Sequence, residues 1–126
     1  MMSEAYARLD GLRVLIVEDE LVIALELETL LGRLGCTVVE AAPTIARALR
    51  AAERQHPDVA VLDVNLDGER VTPVAEALRE QGVPFVLVTG YGPERLPEGP
   101  LREVPCIRKP VNSGQVASAL CEVMAA

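Results

Sequence analysis

Aromatic residues are almost missing from this chain: 126 residues hold no tryptophan, one phenylalanine and two tyrosines. A core without rings has to close with Val, Leu, Ile and Ala, a composition suited to helices packed on a buried parallel sheet. Histidine is scarcer still. His56, before Pro57, is the single one and reads as a surface residue, and Ser3, Ser113 and Ser118 lie away from every acidic motif, so a Ser-His-Asp hydrolase is excluded. Cys36, Cys106 and Cys121 are odd in number, far apart and without a Cys-x-x-Cys spacing; they read as reduced structural thiols rather than a disulfide or a metal set. Basic residues are in deficit, 12 against 19 acids for a formal charge of −7, which argues against binding a nucleic-acid backbone. No apolar run approaches the ~20 residues that span a bilayer. The polar, acidic first ten residues lack the segments of a secretion signal, so a cytoplasmic location is the expectation. Gly90-Tyr91-Gly92 is too short for a nucleotide-binding loop.

What is present is a regular alternation. Strands are expected at residues 13–17, 37–40, 58–63, 84–89 and 106–108. Between the first two, Ile23, Leu27, Leu30, Leu31 and Leu34 recur at helical spacing before Gly35. Thr44 is expected to cap a second helix with Ile45, Ala48, Leu49 and Ala52 inward, ended by His56-Pro57. Thr72 and Pro73 look like the cap and first-turn proline of a third, with Val71, Val74, Ala75 and Leu78 inward and Gly82 as its stop. Ser113 opens the last helix, which turns Val116, Ala119, Leu120 and Val123 inward. Residues 90–105 carry so many prolines and glycines that the helix due there is expected to be short or poorly ordered. The fold class is therefore α/β, a doubly wound five-stranded parallel sheet. The length allows one domain, expected over residues 11–126 after an N-terminal extension of residues 1–10.

Chemistry gathers where strands end. The run Val59-Ala60-Val61-Leu62 delivers Asp63 to the carboxyl edge of its strand, and Glu18 and Asp19, Thr89 and Lys109 end other strands. In open α/β sheets that edge is where ligands bind. Glu18, Asp19 and Asp63 would repel one another if packed close, and Mg²⁺, which takes hard oxygen ligands, offsets such charge. A backbone carbonyl in the loop just past Asp63, such as that of Asn65, could complete its shell. Lys109 and Thr89 offer a cation and a hydroxyl to an oxyanion near Asp63, and Gly90 leaves room for close approach. A carboxylate nucleophile with metal, cation and hydroxyl is the equipment for phosphoryl transfer to an aspartate.

On these residues the chain resembles the receiver domains of two-component response regulators, over nearly its whole length. The matching motifs are Val17-Glu18-Asp19-Glu20, Leu62-Asp63-Val64-Asn65-Leu66, Val88-Thr89-Gly90 and Lys109-Pro110. The resemblance implies the flavodoxin-like receiver topology, with Asp63 as phosphoacceptor and Asp19 as direct Mg²⁺ ligand. It implies that Glu18 acts on the metal largely through water, and that Asn65 contributes its main-chain carbonyl. Thr89 and Lys109 would hold the phosphoryl oxygens, and a cis Lys109-Pro110 bond is expected. Most receivers carry an aromatic switch residue three positions before the lysine, where this chain has Cys106. That departure, the short Pro- and Gly-rich segment and Thr89-Gly90-Tyr91 are similar to the "FAT GUY" subgroup of alphaproteobacterial receivers. Tyr91, or ordering of residues 90–105, stands as the candidate replacement for the missing ring.

The function expected from this resemblance is a single-domain response regulator. It takes its phosphoryl group from a histidine kinase or histidine phosphotransfer protein and assists its own phosphoryl transfer and dephosphorylation. With no output domain in the sequence, it would act by contact with a downstream regulator protein or as a phosphate sink. A haloacid-dehalogenase-type phosphatase also uses Asp, Mg²⁺, Thr and Lys, but needs an acid two residues past the nucleophile, where Asn65 stands. An unphosphorylated receiver-like interaction module is the other alternative, and the intact acid, Thr and Lys set argues against it.

Overall fold

The computed structural model of the chain describes residues 7–90, 101 and 103–125. In chain order the elements are β1 (Arg13–Val17), α1 (Leu21–Arg33), β2 (Thr37–Ala42), α2 (Ile45–Gln55), β3 (Val59–Asp63), β4 (Asn65–Leu66), β5 (Glu69–Arg70), α3 (Thr72–Glu80), β6 (Phe85–Thr89), β7 (Cys106–Arg108) and α4 (Ser113–Ala125). Five strands form one parallel sheet in the order β2-β1-β3-β6-β7, and β4 and β5 make a separate antiparallel pair. The expected parallel α/β fold is the one observed.

Successive strand residues point to opposite faces, and both faces are apolar. Leu15, Val17, Ala60, Leu62, Phe85 and Leu87 face one way and pack with the buried residues of α2 and α3. Val14, Ile16, Val59, Val61, Val86, Val88 and Ile107 face the other way, against α1 and α4. Small residues make up for the missing rings: Ala48, Ala51 and Ala52 let α2 sit close on the sheet. Leu9, five residues ahead of the first β1 core position, is also buried among the α1 and α4 residues. Its carbonyl accepts a hydrogen bond from the Cys36 thiol at 3.5 Å. Burial and then the charge of Asp10 push that thiol up from its ordinary pKa, which keeps it protonated and inert. All three cysteines are free, and His56 is exposed in a left-handed conformation at the end of α2. Among the described residues, no helix is long and apolar enough to cross a membrane.

Several local expectations need correction. Strand β2 runs two residues beyond the expected 37–40, because β1 offers Ala41 and Ala42 partners in Ile16 and Val17. Thr72 is not a cap: it is the first helical residue of α3, Val71 takes the cap position and no side chain caps that end. Ser113 does open α4 as expected, and Asn112 just ahead of it caps the helix, its Oδ1 accepting from the N–H of Gln115 at 2.9 Å. Thr44 does cap α2, accepting from the N–H of Arg47 at 3.1 Å. The stretch after Asp63, read as loop, contains the β4–β5 hairpin. Tyr91 and most of the segment 90–105, including the helix expected there, lie outside the described residues.

Candidate functional site

Strand order reverses beside β1: α1 carries the chain outward to β2, and α2 brings it back to β3 on the other side of β1. Such a switch point leaves a crevice at the carboxyl ends of the two central strands. Val17 pairs with Leu62, so Glu18 and Asp63, one residue further on each strand, emerge side by side. The N–H of Glu18 still bonds to the Ala42 carbonyl at 3.1 Å, which holds the acid at the sheet's edge. On the far side Asp63 pairs with Val88 and Thr89 with Arg108, which brings Thr89 and Lys109 to the same rim.

One oxygen each of Glu18, Asp19 and Asp63 lies within 4.8 Å of the other two. Lys109 Nζ donates to Asp63 Oδ2 at 3.2 Å and lies 3.1 Å from Glu18 Oε1. The second contact is an ion pair without hydrogen-bond alignment, so Glu18 Oε1 is buried with no hydrogen-bond partner. Asp63 Oδ1 accepts from the Asn65 N–H at 3.2 Å, Asp19 Oδ2 from the Asp67 N–H at 3.1 Å, and Glu18 Oε2 from the Glu20 N–H at 3.1 Å. Lys109 is steered by a main-chain bond from its N–H to the Thr89 carbonyl at 2.8 Å, and the Lys109-Pro110 peptide is cis, as expected. A Cβ on Gly90 would come within 3.3 Å of Lys109 Cδ. A side chain at this position would crowd the lysine stem by a few tenths of an ångström.

The electrostatics carry the mark of crowding. Burial, with the hydrogen bond and charge of Asp63, raises the Glu18 pKa from 4.5 to about 7, against the opposing pull of the Glu20 N–H and Lys109. For Lys109 burial works to lower the pKa, but the charges of Asp63 and Glu18 outweigh it and the net shift is upward. The ammonium is thus firmly cationic. Three carboxylates against one ammonium leave the cluster short of positive charge, and Glu18 Oε1 and Asn65 Oδ1 are buried acceptors without hydrogen-bond partners. An all-oxygen donor set of this kind fits a hard divalent cation such as Mg²⁺.

Next to the acids is a pocket of about 230 Å³ lined by Asp63, Val64, Asn65, Gly68, Arg70, Thr89 and Gly90. Glu18, Asp19, Asp63, Asn65, Thr89 and Lys109 are therefore all at this rim or in this pocket. Cys106 is apart from it, exposed at the start of β7 along a groove shared with Asn112, Gln115 and Ser118. Arg70 was not expected at the pocket. The missed signal is Asp67-Gly68, a dipeptide that favours a two-residue hairpin turn because both positions need positive φ; here the angles are 47° and 88°. That turn folds Arg70 back beside Asn65.

Residues 14–120 match the family model described as response regulator receiver domain. The chain belongs to that family. The phyllosphere-induced regulator PhyR of Methylorubrum extorquens is 33% identical over 115 residues, which are 88% of this chain and 43% of PhyR. The solution structure of SdrG from Sphingomonas melonis Fr1 is 43% identical with a TM-score of 0.81, covering 90% of this chain and 97% of that one. The BeF3-activated conformation of SdrG from Pseudomonas melonis Fr1 is 41% identical with a TM-score of 0.78, covering 90% and 98%. This receiver chain spans less than half the length of the curated relatives it matches. The receiver family consists of phosphoacceptor switches that generally bind Mg²⁺ at an acidic pocket, and this chain has a cluster of acidic residues in Glu18, Asp19 and Asp63.

Proposed function

We propose that this chain is a phosphorylation switch that accepts a phosphoryl group on Asp63 from a histidine kinase or a histidine phosphotransfer protein. The observation that carries the reading is the Lys109 ammonium, bonded to Asp63 Oδ2 beside two further carboxylates. An Asp63 carboxylate oxygen attacks the donor's phosphorus in line; the new O–P bond forms as the bond to the leaving group breaks, and the leaving group keeps the electron pair. The displaced charge is spread over phosphoryl oxygens, which Lys109 and the Thr89 hydroxyl receive. Asp19, Asp63 and the Asn65 main-chain carbonyl hold the divalent cation, with Glu18 acting mainly through water. Bound there, it supplies charge neutralisation to the acids and the incoming oxygens. The chain's own groups thus assist both the arrival of the phosphoryl group and its later hydrolysis.

The same reading places the donor's docking surface on α1. Leu21, Val22 and Leu25 expose 72%, 67% and 50% of their surface, directly after the acidic motif. A run of exposed apolar residues suits contact with another protein, and this one begins two residues after Asp19 of the acidic cluster. Output then passes by contact with a downstream regulator protein, or the chain drains phosphoryl groups from a shared kinase. The primary test is intact mass after incubation with Mg²⁺ and acetyl phosphate. The wild type is expected to gain one phosphoryl group, acetate leaving, and to gain none with EDTA. A full gain in Asp63→Asn would overturn the reading.

A further inference from the structure

The hairpin after Asp63 puts a second cation over the pocket. Arg70 stands directly opposite Asn65 in the β4–β5 pair, and directly opposed residues send their side chains to the same side. Asn65 is tied to Asp63 through its N–H, and Arg70 lines the pocket with Asp63, Thr89 and Gly90. A bond from the Val71 N–H to the Val64 carbonyl at 3.1 Å closes the base of the hairpin. The main chain, not the side chain's own contacts, therefore fixes where Arg70 stands. Among the described residues, no carboxylate forms an ion pair with Arg70, whereas Lys109 is already engaged by Glu18 and Asp63.

We propose that Arg70 is a second phosphoryl-binding cation, taking the oxygens of the group on Asp63 from the hairpin side while Lys109 takes them from β7. This rests on the reading of Asp63 as the acceptor. The charge balance favours it. A divalent cation offsets the excess of carboxylates over Lys109, but a phosphorylated side chain carries roughly two negative charges where the Asp63 carboxylate carried one. One further positive charge restores neutrality, and a guanidinium, with its planar fork, is the side chain suited to phosphate oxygens. Before the phosphoryl group arrives, Arg70 is in no ion pair with any described residue. Arg70 is then a group that binds the modified state and leaves the unmodified one alone, so it lengthens the life of the phosphorylated protein.

The test uses beryllofluoride with Mg²⁺ as the phosphoryl probe, on the full chain, in the wild type, Arg70→Ala and Arg70→Lys, with affinity read by calorimetry. Arg70→Ala is expected to weaken beryllofluoride binding about tenfold, the scale of one partly exposed charge-assisted contact, and Arg70→Lys to recover part of the loss. Mg²⁺ affinity and the melting temperature without beryllofluoride should not fall in either variant, since Arg70→Ala removes a charge that repels the metal and Arg70→Lys leaves the charge unchanged. Equal beryllofluoride affinity in wild type and Arg70→Ala overturns the proposal and leaves the Asp63 reading standing. A loss matched by a drop in melting temperature or Mg²⁺ affinity also overturns it, because Arg70 would then be a structural residue. A wild type that binds no beryllofluoride overturns both.

Discussion

At Glu18 the cost of crowding the acids is concentrated in one buried carboxyl, 3% exposed, with a pKa near 7 in place of 4.5. An acid whose pKa is raised in the folded state holds its proton more tightly there than in the unfolded chain. Its contribution is neutral below 4.5, turns against folding as pH rises from 4.5 to 7, and is fully unfavourable above 7. Metal-free protein should therefore lose stability across that window, by an amount on the order of 3 kcal/mol. Saturating Mg²⁺ or the Glu18→Gln change should flatten the slope. Thermal melts at pH 5.5 and 8, with EDTA and with Mg²⁺, measure it, and an unchanged slope in Glu18→Gln would assign the effect elsewhere. Asp19 differs: it sits nearer solvent, with one oxygen on the Asp67 N–H. As the expected direct ligand, it should lose more Mg²⁺ affinity on Asp19→Asn than Glu18→Gln costs, a comparison that metal titration of the two variants decides.

Among the elements, the two helix starts that look alike in sequence behave differently. Thr44 accepts the Arg47 N–H at the head of α2, whereas Thr72 is already inside α3 and caps nothing. Thr44→Ala should cost about 1 kcal/mol, while Thr72→Ala should change stability by only a few tenths, about the scale of an uninvolved site. Urea denaturation separates the two. The β4–β5 hairpin is the other element with a consequence. Gly68 holds φ at 88°, so Gly68→Ala should cost about 1 kcal/mol and, by loosening the pairing of Asn65 with Arg70, weaken beryllofluoride binding in parallel. A variant that melts earlier but binds beryllofluoride normally would show that the pocket does not depend on the hairpin.

For the whole molecule, stability rests on two aliphatic cores, one on each face of a single sheet. Leu87 is fully buried on the central side of β6, two residues before Thr89. Leu87→Ala should cost roughly 2–5 kcal/mol through lost burial and the cavity left behind, read as a lower denaturant midpoint. Because the site stands on the ends of strands held between these cores, metal affinity should persist until the global transition. Local signals determined much of this protein by themselves. Runs such as Val59-Ala60-Val61-Leu62 are too apolar to lie anywhere but between two layers, and each ends in a residue of the site, so the parallel fold and the meeting of Glu18, Asp19, Asp63, Thr89 and Lys109 were legible in the chain. Periodicity also supplied the inward faces of α2 and α3, although Ala51 is buried more deeply than the expected Ile45 and Leu49. What the tertiary structure alone decided are relations between distant segments. The length of β2 came from its partner β1, and the pairing of the Glu18 ion with Lys109, 91 residues on by their numbers, came from strand order. Leu9 joined the core because the turn at residues 10–12 is tied to Gly35 and Thr37 by main-chain bonds. Arg70 reached the pocket because a two-residue turn reversed the chain beside Asp63, and a side chain's neighbours across such a turn are set by the folded backbone rather than by its place in a run of residues.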